Sequence, residues 1–393
     1  MHEEEHKSAE EVSESKPIVG HIREKFYQSE NSRLYDEKRW LQAYRNYRGL
    51  YGPEMVFRSN EKSRVFVKIT KTKVLAAFGQ IIEVLFSSGK FPLGINPTSV
   101  PEEMPEYAHL KPKQAQAPQQ PQDPYGFKGD GREMPPGATA DMLMQNLAQE
   151  FQNVGFDEGP ANAGEPQIQP AEMAAKNLEK LLHDQLEESS AITVLRHVFF
   201  EQCLLGTGIL KGPFSFDHTY HAFDTAEDEQ GNVTNIHVKK IKTVPKVEAV
   251  SCWDFYPDPN ATSINDCDYV IQRHSLNRQQ FSDLRKMPYF DETAIDMCLE
   301  EGPNYQVRGY ESSLYNRETV ETIYKNRFEV LEYWGVVTKE MAEECGIDSD
   351  KDVISVNAWI CGGKVLRMVE NPFEPTRLPF MVCPYELNPY QFF

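Results

Sequence analysis

The sequence predicts an α+β fold, with helices first and an antiparallel β-rich module with inserted helices after them. Three observations predict it. Apolar residues recur at three- and four-residue spacing as far as Leu205. From Gly208 onward, short β-branched runs alternate with turn residues. Between two helical parts lies a stretch dominated by Pro, Gln and Gly. The predicted division is a disordered acidic tail over 1–24, a helical part over 25–100 and a low-complexity insertion over 101–170. A long helix over 171–207 and the β-rich module over 208–393 complete it.

The tail, MHEEEHKSAEEVSESK, has no apolar core and is acidic, so it reads as solvated chain and not as a signal or transit peptide. Ser32–Leu50 reads as a helix capped by Ser32 or Asp36 and stopped at Gly52-Pro53. Trp40, Tyr44, Tyr47 and Tyr51 fall on one stripe of it, with Arg39, Arg45 and Arg48 alongside. Aromatics interleaved with basic residues can stack on single-stranded nucleic acid. A core face flanked by arginines whose heads reach water is the favoured reading. Residues 63–88 begin β-branched (SRVFVKIT) and continue as a helix apolar almost all round to Gly89, which predicts burial between other elements. Lys68, Lys71 and Lys73 stand at its front, polar and exposed. Phe91–Pro97 reads as extended.

Within 101–170, 28 of 70 positions are Pro, Gly or Gln. Such a composition buries too little apolar area to offset its ordering entropy, so it reads as a long surface loop. Pro170 opens a helix running to Leu205, about 50 Å at 1.5 Å per residue, with Gly206-Thr207-Gly208 as its stop. Strands are then expected over 208–216, 219–225, 234–242 and 247–256, with a turn at Glu229–Asn232. Another strand follows at 267–274. Ser275 is expected to cap a helix over Gln279–Lys286, and Asp291 a second one ending at Gly302. A strand at 328–337, a short helix over Thr338–Cys345, a hairpin of 353–361 with 364–369 across Gly362-Gly363, and a strand at 379–385 complete the module. The chain ends on Pro389-Tyr390-Gln391-Phe392-Phe393, whose aromatic character suggests a partial chain.

Charge limits the function. With 41 Lys+Arg against 60 Asp+Glu, the net charge is −19, which argues against a protein that coats DNA by neutralising phosphates. It does not exclude one past which a duplex slides. The charge is uneven: residues 21–90 carry +7 and the remainder −26, which suggests two surfaces with different partners. The longest apolar run, Val74–Phe86, contains Gln80 and Glu83 and is too short to span a membrane. Seven cysteines, an odd number without a CxxC, predict reduced thiols and neither a disulfide framework nor a zinc site.

Motifs for chemistry are weak. Gly206–Pro213 (GTGILKGP) lacks the spacing and the strand-then-helix setting of a phosphate loop. His218 and His221 would point to opposite faces of a strand, which makes joint ligation with His237 awkward. Asp254, Asp258, Asp266 and Asp268 cluster in WDFYPDPNATSINDCD and could hold Mg²⁺ for nuclease chemistry, but their spacing is irregular and the prolines and Asn260 supply ordinary turn chemistry. No serine or cysteine stands in an activating context. No catalytic residue, cofactor or metal site is assigned.

Several stretches together resemble the portal (head-to-tail connector) proteins of short-tailed bacteriophages. They are Tyr35–Tyr51, Ser63–Phe86, Val250–Asn260 (VSCWDFYPDPN), Tyr269–Leu284 (YVIQRHSLNRQQFSDL) and Phe373–Pro389 (FEPTRLPFMVCPYELNP). The specificity lies in their order. The resemblance implies a portal-like fold, with the helical part, a spine helix and the β-rich module forming a wing, and a chain that stops before or within the stem and clip. It implies no enzyme, and a homododecameric ring at the unique capsid vertex, assembled in the host bacterial cytoplasm and carried in the virion. The implied partners are further copies of the chain, the major capsid protein, terminase, tail or adaptor proteins, and double-stranded DNA passing without sequence recognition during packaging and ejection. Lys68, Lys71 and Lys73 are the candidate subunit or partner contact. The alternatives are a metal-dependent nuclease using Asp254, Asp258 and Asp268, or another head–tail adaptor of the virion.

Overall fold

In a computed structural model the described residues are 16–52, 55–60, 63–89, 91–97, 170–227, 233–314, 322–388 and 391–393. The chain divides into two units, Met1–Pro92 with Gln185–Phe393, and Leu93–Asp184. The predicted insertion 101–170 lies outside the described residues except for Pro170.

The first helix starts earlier than the sequence suggested. α1 (Pro17–Ser32) takes in residues 17–24, which had been assigned to the tail, and buries Ile18, Val19, Ile22 and Phe26. Pro17 occupies the first turn, where its missing N–H costs nothing. Arg33 joins α1 to α2 (Leu34–Arg48), which ends at Gly49 in the left-handed region. Of the predicted aromatic stripe, Trp40 is fully buried, Tyr47 packs edge-on against Phe200 at 5.8 Å, and Tyr51 is partly exposed. α3 (Ile69–Phe86) departs from expectation: only Val74 is buried, and Val84 is 80% exposed. The helix packs against neighbours on one side, through contacts such as Phe78 with Phe200, and the apolar residues on its other side face solvent.

The single helix expected over 171–207 is two, α4 (Pro170–Glu188) and α5 (Ala191–Leu205). Ser189 Oγ donates back to the Leu186 carbonyl at 3.0 Å, and Ser190 turns left-handed (φ 52°, ψ 34°). Serine hydroxyls compete for backbone partners in this way, and two in succession end the helix. In the second unit, the Ile95 N–H donates to Glu179 Oε2 on α4 at 3.3 Å.

Four predicted strands merge into two. β1 (Thr207–Glu227) and β2 (Val233–Val250) pair antiparallel from Ile209↔Val250 to Glu227↔Val233, with one irregularity between Lys211 and Phe214. Pro245, between two of the predicted strands, sits opposite Ser215 on an edge strand, where a missing ladder donor is tolerated. The predicted turn 229–232 lies outside the described residues. β3 (Phe255–Pro257) and β4 (Tyr269–Asn277) follow, then α6 (Arg278–Asp283), capped by Asn277 and Gln280 in a capping box and not by Ser275. α7 (Glu292–Glu301) is capped by Asp291 as expected, and α8 (Gly309–Leu314) leads towards β5 (Arg327–Thr338). α9 (Lys339–Glu343), β6 (Val353–Cys361), β7 (Lys364–Glu370) and β8 (Phe380–Pro384) complete the order.

The strands form two antiparallel sheets, β2-β1-β8 and β3-β4-β5-β6-β7. The architecture is therefore α+β. Among the described residues, three apolar cores hold it. α1 lies on the five-stranded sheet against Tyr256, Tyr269, Ile271 and Tyr333. Trp40, Leu205, Ile209, Phe255, Trp334 and Phe380 fill the space where the two sheets, α2 and α5 meet, and the terminal Phe392 and Phe393 pack there too. Phe281, Ile295, Phe328 and Leu366 close the third, under α6 and α7.

Candidate functional site

Two buried polar joints fix the β-rich module, and sequence reasoning singled out neither. Arg33 is 2% exposed. Its guanidinium donates to the carbonyls of Phe255 and, at 2.8 Å, Trp253, pairs with Glu37 at 3.2 Å, and lies over the Tyr256 ring at 3.9 Å. The WDFYPDP corner is thereby tied to the α1–α2 junction. A planar fork that donates in several directions while stacking is an arginine property that lysine lacks.

The second joint links the sheets. Lys211 on β1 meets Glu332 on β5 at 2.5 Å, and the same carboxylate accepts from Trp334 Nε1 at 2.7 Å and pairs with His274 Nε2 at 2.7 Å. Burial alone would raise the Glu332 pKa, but Lys211 and His274 outweigh it and hold it down at about 2. Beside it, Arg273 is buried among Asp254 at 3.3 Å, Glu311 at 2.9 Å and Tyr310 Oη at 2.5 Å. Buried charges of this kind persist only when paired and hydrogen-bonded.

These contacts account for the acidic cluster. Asp254 serves Arg273. Asp258 is buried and accepts from the backbone N–H groups of Asn260 (3.0 Å) and Asp268 (3.4 Å), as a turn-closing aspartate does. Asp266 accepts from Ser263 Oγ at 2.7 Å. Among the described residues, no group of three or more His, Cys, Asp or Glu is arranged to hold a metal ion. Asp268 instead lines a cleft of about 490 Å³ with Ile264, Cys267, Phe373 and Arg377. Burial pushes the Cys267 thiol up to about 12, which keeps it protonated and a poor nucleophile at neutral pH.

The glycines of 206–213 also have structural work. A Cβ on Gly208 would lie 2.4 Å from the Val198 carbonyl oxygen, so only glycine lets β1 pass so close to α5. Gly212 has φ +116° at the irregularity of β1. His221 stacks on His237 at 4.6 Å across the β1–β2 ladder. The seven cysteines are all free. No helix among the described residues is long and apolar enough to cross a membrane.

Lys68, Lys71 and Lys73 are all exposed, on a strip of chain that runs from the N-cap into the first turns of α3. Tyr51 organises the approach, with rings of Phe57 and Phe66 at 4.9 and 4.8 Å and its hydroxyl donating to the Val65 carbonyl at 3.0 Å. Arg64 lies over Phe57 at 4.9 Å and Lys71 over Tyr47 at 5.9 Å. Among the described residues of 55–82 there are five Lys or Arg and no Asp or Glu. Val56 (88% exposed), Val65, Val67 and Ile69 leave large apolar side chains open between these cations. A surface both basic and apolar suits a protein partner better than solvent.

The family model described as Phage SU10 portal protein matches residues 176–393, which is most of α4, all of α5 and the whole β-rich module. No curated protein matches the chain.

Proposed function

The chain belongs to the phage portal protein family, and from that premise we propose that it is the subunit of a closed ring, a homododecamer, at the unique vertex of the capsid. The ring would conduct double-stranded DNA inward during packaging and outward during ejection, and offer docking surfaces to the capsid protein, the terminase and tail or adaptor proteins. It would assemble in the host bacterial cytoplasm and remain in the virion. The match over 176–393 carries this reading. The family's role is structural and not enzymatic.

Physical considerations support the finer statements. A ring closes through a heterologous interface, in which each subunit offers two different patches. The basic, apolar strip holding Lys68, Lys71 and Lys73 is suited to be one of them. The chain's net charge of −19 makes the surface of a neighbouring copy acidic on average, so the strip and that surface attract. The same acidity opposes adhesion to phosphates, which fits a conduit.

Charge reversal at Lys68, Lys71 and Lys73 to Glu tests the assignment. Ring yield is expected to fall at least tenfold while the unassembled subunit keeps its circular dichroism spectrum. Unchanged yield and oligomer size would remove this strip from the subunit contact.

A further inference from the structure

Among the described residues, no third strand pairs with the β1–β2 ribbon beyond Lys211. β8 pairs with β1 only from Thr207 to Lys211. From Phe214 to Phe223, β1 pairs among the described strands with β2 alone; Phe214 packs on Trp334 and Phe373, and beyond it large side chains on both faces are exposed. The register places Phe216 and Tyr220 on one face, and His221, Phe223, His237 and Ile241 on the other. Phe223 is 77% exposed and Ile241 68%. A two-stranded ribbon is marginal in water unless a further strand or packed layer covers it. Large apolar groups on both of its faces mark it as something to be covered from outside.

We propose that this ribbon inserts between neighbouring copies of the chain, each of its faces packing on a different copy. The proposal rests on the ring reading and adds the element that would hold adjacent subunits together. Size selects the occupant. Ten residues of a two-stranded ribbon make a strip about 34 Å by about 10 Å, so one face offers roughly 340 Å², under half of the roughly 800 Å² per partner of a stable interface. The two faces together approach that area. A cyclic ring supplies a neighbour on either side, whereas a single partner covers one face only.

Hydrogen exchange on the full chain, compared between assembled rings and unassembled subunits, tests the proposal. Amides of 214–223 and 237–246 flank both faces, and their exchange is expected to slow at least tenfold on assembly. The paired variants F216S/Y220S and F223S/I241S, altered on opposite faces, are each expected to lower ring yield at least tenfold with an unchanged subunit spectrum. Rings that form normally with the ribbon exchanging as in the subunit overturn the proposal and leave the ring reading intact. Slowing that appears only with added duplex DNA or capsid protein overturns it in favour of that occupant. If the wild-type chain never assembles, the ring reading falls and this proposal with it.

Discussion

Lys211 and Glu332 meet at 2.5 Å in the interior and join the three-stranded sheet to the five-stranded one. The carboxylate is further held by Trp334 and His274, so this corner of the module depends on one charged group. Glu332→Gln leaves the Lys211 ammonium buried without its counter-charge, which costs about 3–5 kcal/mol. Urea unfolding at neutral pH should show that loss.

The same pair sets an acid dependence. The folded pKa of Glu332, about 2, lies below its ordinary value of 4.5. Its stabilisation is therefore complete above the ordinary carboxylate range and disappears as pH falls from there towards 2. The urea midpoints of wild type and Glu332→Gln should converge over that interval. A gap that stays constant from pH 7 to pH 3 would show that the bridge contributes nothing through its charge.

Arg33→Lys keeps the charge but loses the fork and the stacking. The Phe255 carbonyl then loses its side-chain donor in a buried site, at a cost of roughly 1–3 kcal/mol where no water enters, while the Trp253 carbonyl keeps only Tyr310 Oη at 3.3 Å. A urea midpoint within error of wild type would mean that the α1–α2 junction does not hold the WDFYPDP corner.

Gly208→Ala places a methyl group 2.4 Å from the Val198 carbonyl oxygen. Backbone must shift, and overpacking of this kind costs about 1–3 kcal/mol. Thermal melts should show the drop, with Gly309→Ala, where nothing lies within 4 Å of the added carbon, as the control.

Asp258→Ala removes an acceptor for two backbone N–H groups and should lower stability by about 1–3 kcal/mol. Because the carboxylate closes a turn, Mg²⁺ should not raise the melting temperature of the wild-type chain. A metal-dependent rise that Asp258→Ala abolishes would revive the nuclease reading.

Legibility in the sequence followed the range of the interactions. The hairpin of β6 and β7 was readable because Gly362-Gly363 and the flanking alternation are local, and Asp291 was readable as a cap for the same reason. α1 was hidden by the acidic residues before it, although Pro17 followed by Ile18, Val19, Ile22 and Phe26 is a helical signature. Ser189-Ser190 lies inside an apolar stripe that continues on either side, so periodicity ran the two helices together. The exposure of α3 depends on which neighbours are present, and its composition alone pointed the other way. Arg33, Lys211 and Arg273 could not be singled out at all. Their partners lie 19 to 222 residues away, apart from Glu37, and nothing in the residue itself distinguishes a buried arginine or lysine from a solvated one.

Ring closure is tested most directly by electron microscopy of the purified protein. A closed ring whose channel admits a DNA duplex is the predicted result. A chain that stays monomeric across protein concentration and salt would contradict it.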